Sequence, residues 1–463
     1  MVSSKDMAPD TSGYVSSFIK NQFFTKLPTT PKDIDLSGQV AIVTGANGGL
    51  GLESARHMLT LGLSHLVIAV RSVERGRAVV SKLQTSNPSA KIDVWSLEME
   101  SYQSIQAFVQ RCEKELARID MVILNAGVAE TEFSLTSTGH EKVIQVNYLS
   151  TVLLAILLLP ILKAKSPVGV TPRITVVNSI MSTYAKFPNQ NKRPLLASFD
   201  DTKVTAWDPA ERYNVSKLLG QLFLSRLADC IKPEDVVINM VEPGLTKTGL
   251  FRNLRGIAGV ILNLIKSFSA KTAEEASLTY IDAVAVKGKE SHGSFIANCE
   301  IHPLATFTYH NPEAKAITTQ LWEETLDEFS FADARGILQA LSNSGLVGLV
   351  KTPVSRQRGG GAESSQLASP PRAGKHTAPL SSLPGSRPPF SSAHSVRSSL
   401  RLYRCEAFYL PRTSLGVWPS LGGSGVDAAG ARSQSVSQSE KQVEKPVEES
   451  AGSAGSVETA ETA

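Results

Sequence analysis

Tyr213 and Lys217 are four residues apart in a stretch with helical character, which places both side chains on one face of a helix. A tyrosine can give a proton to a carbonyl oxygen, but its ordinary pKa near ~10 is too high for efficient exchange at neutral pH. A lysine one turn away favours the tyrosinate and lowers that pKa. The pair predicts an acid–base centre, although the spacing alone equally fits an exposed pair on a solvated face.

A second chemical feature is the glycine-rich turn after the apolar run Val40–Val43, which predicts a buried strand followed by a helix. The spacing is Thr44-Gly45-x-x-x-Gly49-x-Gly51, a variant of the commoner Gly-x-Gly-x-x-Gly fingerprint. Free N–H groups at a helix N-terminus attract a pyrophosphate. The turn therefore predicts a dinucleotide site, with a glycine-rich connection in another α/β protein as the alternative.

The elements that position these residues alternate between strand and helix from Gln39 to about Leu326, which predicts an α/β fold, a doubly wound parallel sheet of the Rossmann type. Six strands are predicted after the first, at His65–Val70, Ile92–Leu97, Met121–Leu124, Ile174–Val177, Val236–Val241 and Ser294–Ala297. Helices are predicted from Ser72, from Ser101, and over 139–163, 210–228 and 313–329. Tyr213 then follows the fifth strand, at the sheet edge where such folds bind ligands.

Three regions are predicted along the chain: an N-terminal extension over 1–36, a cofactor-binding single domain over 37–330, and a tail over 336–463. Residues 353–438 are dense in Ser, Pro, Gly and Arg without helical or strand period. Such a segment buries too little apolar surface to offset its chain entropy, so the C-terminal tail is predicted to be disordered. A partner-binding or phosphorylated tail is the alternative.

The 463 residues carry a net charge of only +4, which argues against a nucleic-acid partner. The four cysteines are scattered without metal-ligand spacing, so no metal is expected. No signal-peptide pattern is present, and the apolar run Val152–Leu162 is too short to span a bilayer, so a buried helix and a cytoplasmic location are expected. Ser17–Phe24 is predicted to be a short helix packed on the domain, with weak peripheral membrane contact as the alternative.

Taken together, the motifs resemble the short-chain dehydrogenase/reductase family over nearly all of Gln39–Phe329. The family's landmarks occur in its order, as Thr44-Gly45-x-x-x-Gly49-x-Gly51, Asn125-Ala126-Gly127, Asn147, Ser179, Tyr213-x-x-x-Lys217 and Pro243-Gly244-Leu245-Thr246-Lys247-Thr248. The sequence is most similar to the retinol-dehydrogenase-like branch and its fungal secondary-metabolism relatives, through Asn47–Glu53 and Phe199–Asp201.

The resemblance implies four catalytic residues. Tyr213 would be the general acid–base, and Lys217 would support the tyrosinate and hold the nicotinamide ribose. Ser179 would bond the substrate oxygen, and Asn147 would hold a water that completes a proton relay. Ser182 is a nearby competitor for the serine role.

The resemblance also implies the cofactor contacts, which are Gly45, Asn47, Gly49, Leu50, Gly51, Arg71, Glu98, Asn125, Ala126, Gly127, Tyr213, Lys217, Thr246 and Thr248. The second strand ends in Val70 without an acid, and Arg71 follows it. A guanidinium pairs with a 2′-phosphate through two hydrogen bonds, so NADP(H) is expected, with a solvated loop arginine as the alternative. Glu98 would meet the adenine and Asn125 its ribose, while Thr246 and Thr248 would face the carboxamide.

Two further segments bear on the substrate. The stretch Phe187–Pro209 is predicted to form part of the substrate rim, and Leu250–Phe268 an apolar wall or lid. They favour an NADP(H)-dependent oxidoreductase acting on a lipophilic ketone, aldehyde or alcohol, although the apolar stripe also fits an ordinary core. The alternatives are a cofactor-binding regulator or scaffold without turnover, and a tail that serves as the interaction module. The oligomeric state stays open, with a homodimer among the options.

Overall fold

The fold is organised around one eight-stranded sheet. The structure, a computed structural model, describes residues 3–10, 13, 20–247, 270–310 and 313–343. The strands are β1 Val40–Thr44, β2 His65–Val70, β3 Lys91–Ser96, β4 Met121–Leu124, β5 Arg173–Val177, β6 Val237–Glu242, β7 Phe295–Ala297 and β8 Glu300–His302. Their order across the sheet is β3-β2-β1-β4-β5-β6-β7-β8. Every neighbouring pair is parallel except β7 and β8.

Helices cover both faces of this sheet. They are α1 Gly49–Thr60, α2 Val73–Ser86, α3 Tyr102–Glu115, α4 Lys142–Lys165, α5 Pro209–Asp229, α6 Ala273–Ile281, α7 Thr306–His310, α8 Ala314–Glu328 and α9 Ala334–Asn343. Alternate residues of a strand face opposite sides, so Ile42 packs in the core with α3, α4 and α5, while Ala41 and Val43 pack in the core with α1 and α6. This two-sided burial explains the continuous apolar runs of the strands.

The predicted fold class, a doubly wound parallel sheet, is confirmed, and all seven predicted strands are present with ends shifted by at most a residue. The antiparallel β8 was not predicted. It follows a tight turn in which Asn298 and Cys299 have φ of 50° and 63°. A strand of three residues is too short to show a period of two, so its sequence carries no clear signal.

Helix α4 confirms the prediction that Val152–Leu162 lies in a buried helix. It is long and apolar enough to cross a membrane by length and composition, but 89% of its apolar window is buried inside the structure. Its second turn, Gln145–Ser150, is a π-helix, which carries Asn147.

The two ends of the domain differ from the expected boundaries. Residues Lys20–Phe24 form one π-helical turn, and the rest of the expected helix, 17–19, lies outside the described residues. At the other end, α9 includes residues 336–343, which the sequence assigned to the tail, because the amphipathic helix buries Leu338 in the core. The expectations for 344–463 and for Leu250–Phe268 concern residues outside the described part of the chain.

Candidate active site

A cavity of about 1240 Å³ opens at the carboxyl ends of the strands. The cavity lining contains thirteen of the predicted site residues, Gly45, Asn47, Gly49, Leu50, Arg71, Glu98, Asn125, Ala126, Gly127, Ser179, Tyr213, Lys217 and Thr246. Gly51 and Asn147 lie behind that lining. Thr248 lies outside the described residues. The structure therefore brings Tyr213, Lys217 and the glycine turn to one cavity at the carboxyl ends of the strands, where open parallel sheets bind ligands.

The glycine turn has the geometry of an anion cradle. Gly49 adopts a φ of 58°, in the left-handed region that favours glycine. Helix α1 begins there, and no side chain caps its N-terminus at Gly48. Gly48, Gly49 and Leu50 all line the cavity, so the first backbone N–H groups of the helix are available to a phosphate. The residues present fit a dinucleotide pyrophosphate.

Gly51 supports this cradle by close packing and does not line the cavity. A Cβ atom at Gly51 would lie 2.6 Å from the Nδ2 atom of Asn125. A side chain there would push α1 away from Asn125, which holds the end of β1. Gly51 is therefore needed for the packing of the cradle against Asn125, and its cofactor contact stays a prediction.

Asn125 joins the ends of β1 and β4. Its backbone N–H and that of Ala126 both donate to the Thr44 hydroxyl at 2.9 Å, and its Nδ2 donates to the Thr44 carbonyl at 2.8 Å. The buried Tyr280 hydroxyl donates to Asn125 Oδ1 at 3.4 Å. From the sequence, Asn125 was expected only to pack beside the adenine ribose. Its contacts with Thr44 and Tyr280 were missed, because both residues are far from Asn125 in the sequence.

Tyr213 and Lys217 lie on α5, whose start is capped by Asp208 through the N–H groups of Ala210 and Glu211 at 3.0 and 3.1 Å. Tyr213 and Lys217 are 8% and 7% exposed. Lys217 Nζ lies 5.8 Å from the centroid of the Tyr213 ring. The predicted juxtaposition on one helix face is present, and both groups are withdrawn from water.

Burial, more than the lysine charge, governs the proton affinities of this pair. Burial raises the pKa of Tyr213 to about 12, the hydrogen bond with Ser179 acts against that rise, and the charge of Glu242 adds to it. Burial lowers the pKa of Lys217 to about 8. Burial thus sets the pKa of Tyr213 in the folded chain, and the support that Lys217 is expected to give to the tyrosinate stays a prediction. Each charged form loses its hydration, so both groups favour their neutral forms.

Ser179 follows β5 and caps the short 3-10 helix Ile180–Tyr184, accepting a hydrogen bond from the Met181 N–H at 3.2 Å. Its side chain also hydrogen-bonds with Tyr213. Ser182 instead donates to the Ser179 carbonyl at 2.7 Å and accepts from Gln221 at 2.9 Å. Ser182 does not line the cavity, so the geometry favours Ser179 for contact with a substrate.

The amide of Asn147 is engaged by the protein itself. Its Oδ1 accepts from the Val128 N–H at 2.8 Å, and its Nδ2 donates to the Val128 carbonyl at 2.9 Å and to the Ser216 hydroxyl at 3.1 Å. A Cβ atom on Gly127 would lie 3.2 Å from Asn147 Oδ1 and 3.9 Å from Lys217 Nζ. Asn147 thus holds the loop after β4 in place beside Lys217. Its water-holding role stays a prediction.

At the far end of the cavity, Arg71 has acidic neighbours that the sequence did not indicate. Its Nε lies 3.6 Å from Glu98 and its Nη1 3.5 Å from Glu100. The Arg71 side chain is 57% exposed, so these ion pairs are weak. Arg75, in the first turn of α2, also lines the cavity and was missed, although its spacing from Arg71 was a usable signal.

The predicted substrate rim at Phe187–Pro209 is wrong for most of its length. Phe187 and Phe199 are buried in the core with their rings stacked 6.4 Å apart. Glu324 of α8 accepts hydrogen bonds from the neighbouring backbone at Leu195 and Leu196. Only its last two residues, 208 and 209, line the cavity. An apolar loop segment has the same composition whether it borders a ligand or fills the core, which explains the error.

Gln22, Glu242 and Asn298 are among the further polar residues that line the cavity and were not singled out from the sequence. Burial raises the pKa of the Glu242 carboxyl to about 7, although the Gly244 N–H and the Lys271 charge act against that rise. Lys271 Nζ donates to Asn298 Oδ1 at 3.2 Å. These groups form a polar wall beyond β6.

The doubly wound sheet, the glycine cradle, and Ser179 beside the buried pair Tyr213 and Lys217 are features of dinucleotide-dependent oxidoreductases. The chain belongs to the short-chain dehydrogenase/reductase family. The sequence model of the family described as short chain dehydrogenase matches residues 39–190. The resemblance stated from the sequence motifs, including its fungal branch, is confirmed.

Two fungal relatives are similar over nearly their whole length. Short chain dehydrogenase/reductase mfmJ of Annulohypoxylon moriforme is 48% identical over 347 residues, which are 74% of this chain and 100% of the relative. Short chain dehydrogenase virL of Hypocrea virens is 42% identical over 325 residues, covering 69% of this chain and 94% of the relative. Among solved structures, a short chain dehydrogenase from Shigella flexneri matches 58% of this chain and 94% of its own, with 19% identity and a TM-score of 0.44.

Family membership establishes the general activity. The chain is an oxidoreductase that acts on CH–OH groups of a small-molecule substrate with a nicotinamide cofactor. The family alone does not select between NAD and NADP, and it does not name the substrate.

Proposed function

We propose that this chain is a cytoplasmic NADP(H)-dependent oxidoreductase that interconverts a lipophilic ketone or aldehyde and its alcohol in a secondary-metabolite pathway. The observation that carries the proposal is the convergence of Ser179, Tyr213 and Lys217 on the cavity that also holds the glycine cradle. A sensor or scaffold needs the cradle, but it has no use for a buried acid–base pair.

The side chains divide the proton chemistry between them. When bound, the nicotinamide group supplies or accepts the hydride. With a pKa of about 12, Tyr213 keeps its proton at neutral pH, and it gives that proton up only as negative charge develops on a carbonyl oxygen. The hydroxyl of Ser179 hydrogen-bonds the same oxygen and stabilises the charge that develops on it. Lys217, protonated below a pKa of about 8, then stabilises the tyrosinate that proton donation leaves.

The preference for NADP(H) rests on two guanidinium groups at the adenine end. Arg71 and Arg75 line the cavity beyond β2, and β2 ends in Val70 without an acid. A 2′-phosphate must compete with Glu98 and Glu100 for Arg71. The Arg71 pairs with both acids are long and partly exposed, so a bidentate phosphate contact is stronger.

The lipophilic substrate class rests on the apolar surface around the acid–base pair. Val128, Ile180, Met181 and Leu245 line the cavity together with the ring of Tyr184. Apolar walls with a few convergent polar groups are typical of sites for drug-sized apolar ligands. Tyr213 and Ser179 supply hydroxyl groups to the same cavity, which such a ligand would meet with its oxygen.

The experiment that tests the proposal is a screen of lipophilic ketones, aldehydes and alcohols, followed by cofactor absorbance with NADPH, NADH and their oxidised forms in turn. We expect turnover of apolar ring-containing carbonyl compounds with NADPH and slow turnover of small polar sugars. Tight NADPH binding without turnover of any compound would instead support the regulator. Equal turnover with NADH would contradict the cofactor assignment.

A further inference from the structure

The N-terminal segment, which precedes the first strand of the sheet, reaches the active-site cavity. Gln22 lies in the turn Lys20–Phe24 and lines the cavity together with Asn21 and Asp10. The family motifs begin only at Thr44, and nothing in them assigns a role to this segment. Gln22 contacts the loop that follows β6.

Both polar atoms of the Gln22 carboxamide pair with the backbone of Leu245. The Leu245 N–H donates to Gln22 Oε1 at 3.2 Å, and Gln22 Nε2 donates to the Leu245 carbonyl at 2.9 Å. A side-chain amide that meets both groups of one residue reproduces the pairing of a neighbouring strand. This double contact requires a carboxamide, because one side chain must supply both a donor and an acceptor in this order.

Leu245 is held from its other side as well. The Lys271 N–H donates to the Leu245 carbonyl at 3.0 Å, and the Lys247 N–H donates to the Lys271 carbonyl at 3.0 Å. The loop Pro243–Lys247 therefore lies between Gln22 on one side and residue 271 on the other. Thr246, which lines the cavity, is placed by that double support.

The start of the segment is anchored to the folded domain too. Ser4 is buried, and the Phe295 N–H donates to its hydroxyl at 2.9 Å, so the chain is attached beside β7. Lys5 Nζ donates to the Ser225 carbonyl of α5 at 2.8 Å and pairs with Asp229. The extension thus contacts the sheet edge, the catalytic helix and the β6 loop.

We propose that Gln22 is a positioning residue of the active site, which sets the loop Pro243–Lys247 by pairing with both backbone groups of Leu245. This inference rests on the proposed function, since that loop borders the nicotinamide end of the cavity beside Tyr213. Without Gln22, the Leu245 backbone exchanges its partners with water and the loop samples other positions. The nicotinamide then spends less time in the reactive arrangement.

The test compares Gln22→Leu, which keeps the volume and removes both hydrogen bonds, with Gln22→Glu, which keeps an acceptor for the Leu245 N–H. Phe24→Ala is the matched control, because Phe24 is 79% exposed in the same turn and does not line the cavity. Each protein is examined for kcat, KM, thermal midpoint, and the Kd values of NADPH and of adenosine 2′,5′-bisphosphate. The bisphosphate occupies only the adenine end.

We expect Gln22→Leu to lower kcat/KM about tenfold and to weaken NADPH, with a smaller loss in Gln22→Glu. The Kd of the bisphosphate and the kinetics of Phe24→Ala should stay as in the wild type. Unchanged kinetics and NADPH affinity in Gln22→Leu would overturn the role of Gln22. An equal loss of affinity for NADPH and for the bisphosphate would overturn it as well. A wild type without NADPH turnover would defeat the proposed function instead, and NADPH affinity would still decide the role of Gln22. Should Gln22→Leu fail to fold, the loss in Gln22→Glu decides it.

Discussion

Lys217 and Tyr213 lie one turn apart on the catalytic helix, with the Lys217 nitrogen 5.8 Å from the centroid of the tyrosine ring. The same nitrogen donates to the Val177 carbonyl at 3.0 Å, so the cation is held at the end of β5, two residues before Ser179. Because both groups are buried, the protonated lysine gains its full effect only when a tyrosinate forms beside it. The site is prepared for charge that develops during the reaction.

This relationship predicts a pH dependence of ketone reduction. The pKa of Lys217 is lowered to about 8 by burial, so Lys217 loses its positive charge as the pH rises through that value. The tyrosinate is then no longer stabilised, and kcat/KM for reduction should fall above about pH 8, while Tyr213 itself stays protonated. A kinetic pH profile from 6 to 10 with NADPH measures this fall.

Glu242 provides the control for that profile. Its pKa is raised to about 7 by burial, and it lines the same cavity. The variant Glu242→Gln should lose any change of kcat/KM near pH 7 and should keep the fall near pH 8. A rate that stays flat between pH 7 and pH 10 in both proteins would refute the role given to Lys217.

The cofactor assignment predicts the behaviour of two arginine variants. Arg71→Ala and Arg75→Ala should each lower the preference for NADPH over NADH by about tenfold, because each removes a charge-assisted contact to the 2′-phosphate. The ratio of the two kcat/KM values measures this preference. Arg77→Ala is the control, since Arg77 is exposed on the same helix and does not line the cavity. A ratio that neither variant alters would show that both arginines are solvated side chains without a cofactor contact.

A partly buried ionic group that does not line the cavity predicts how stability depends on pH. His140 Nδ1 lies 3.0 Å from Asp200 and its Nε2 lies 3.2 Å from Glu328. Burial alone would lower the pKa of His140, but the hydrogen bonds to Asp200 and Glu328 outweigh burial and raise it to about 9. The folded pKa thus lies above the ordinary value of 6.5.

The imidazolium therefore contributes stability below about pH 6.5, and that contribution is lost as the pH rises through about 9. The free energy of unfolding, measured with urea between pH 6 and pH 9.5, should decline across this window. In His140→Gln the decline should be smaller. An identical slope in both proteins would mean that His140 does not carry the effect.

Helix α9 predicts different outcomes for two truncations. A chain that ends after Asn343 keeps every described helix and should retain wild-type turnover and thermal stability. A chain that ends after Phe329 loses the buried Ala334 and Leu338, and its free energy of unfolding should fall by about 2–5 kcal/mol. Urea unfolding of both proteins measures the difference. Equal stability would show that α9 adds nothing to the core, and lost turnover in the longer chain would give the tail a role.

The parts of the fold that could be predicted from the sequence are those with local causes. A fully buried parallel strand needs an apolar run, and a turn that receives a phosphate needs glycine, so β1 and the cradle at Gly49 were predictable. The acid–base pair on α5 was predictable because helical spacing alone brings Tyr213 and Lys217 to one face. Each of these features is written within a few neighbouring residues.

The remaining features depend on contacts between distant parts of the chain. Gln22 meets Leu245, and Arg71 meets Glu98 and Glu100, only after the sheet has formed. The pKa of Tyr213 depends on how deeply the finished fold buries it, which a pattern of residue types does not reveal. The core position of Phe187 and its neighbours was missed for the same reason, since composition does not distinguish a rim from a core.

The central claim is that Tyr213 exchanges the proton in an NADP(H)-dependent reaction, and Tyr213→Phe tests it most directly. The ring stays in place, so NADPH affinity should remain within about twofold of the wild type. Loss of the proton donor should lower kcat by about 10²–10⁴-fold. A variant that binds NADPH normally and keeps a kcat within a few fold of the wild type would contradict the account.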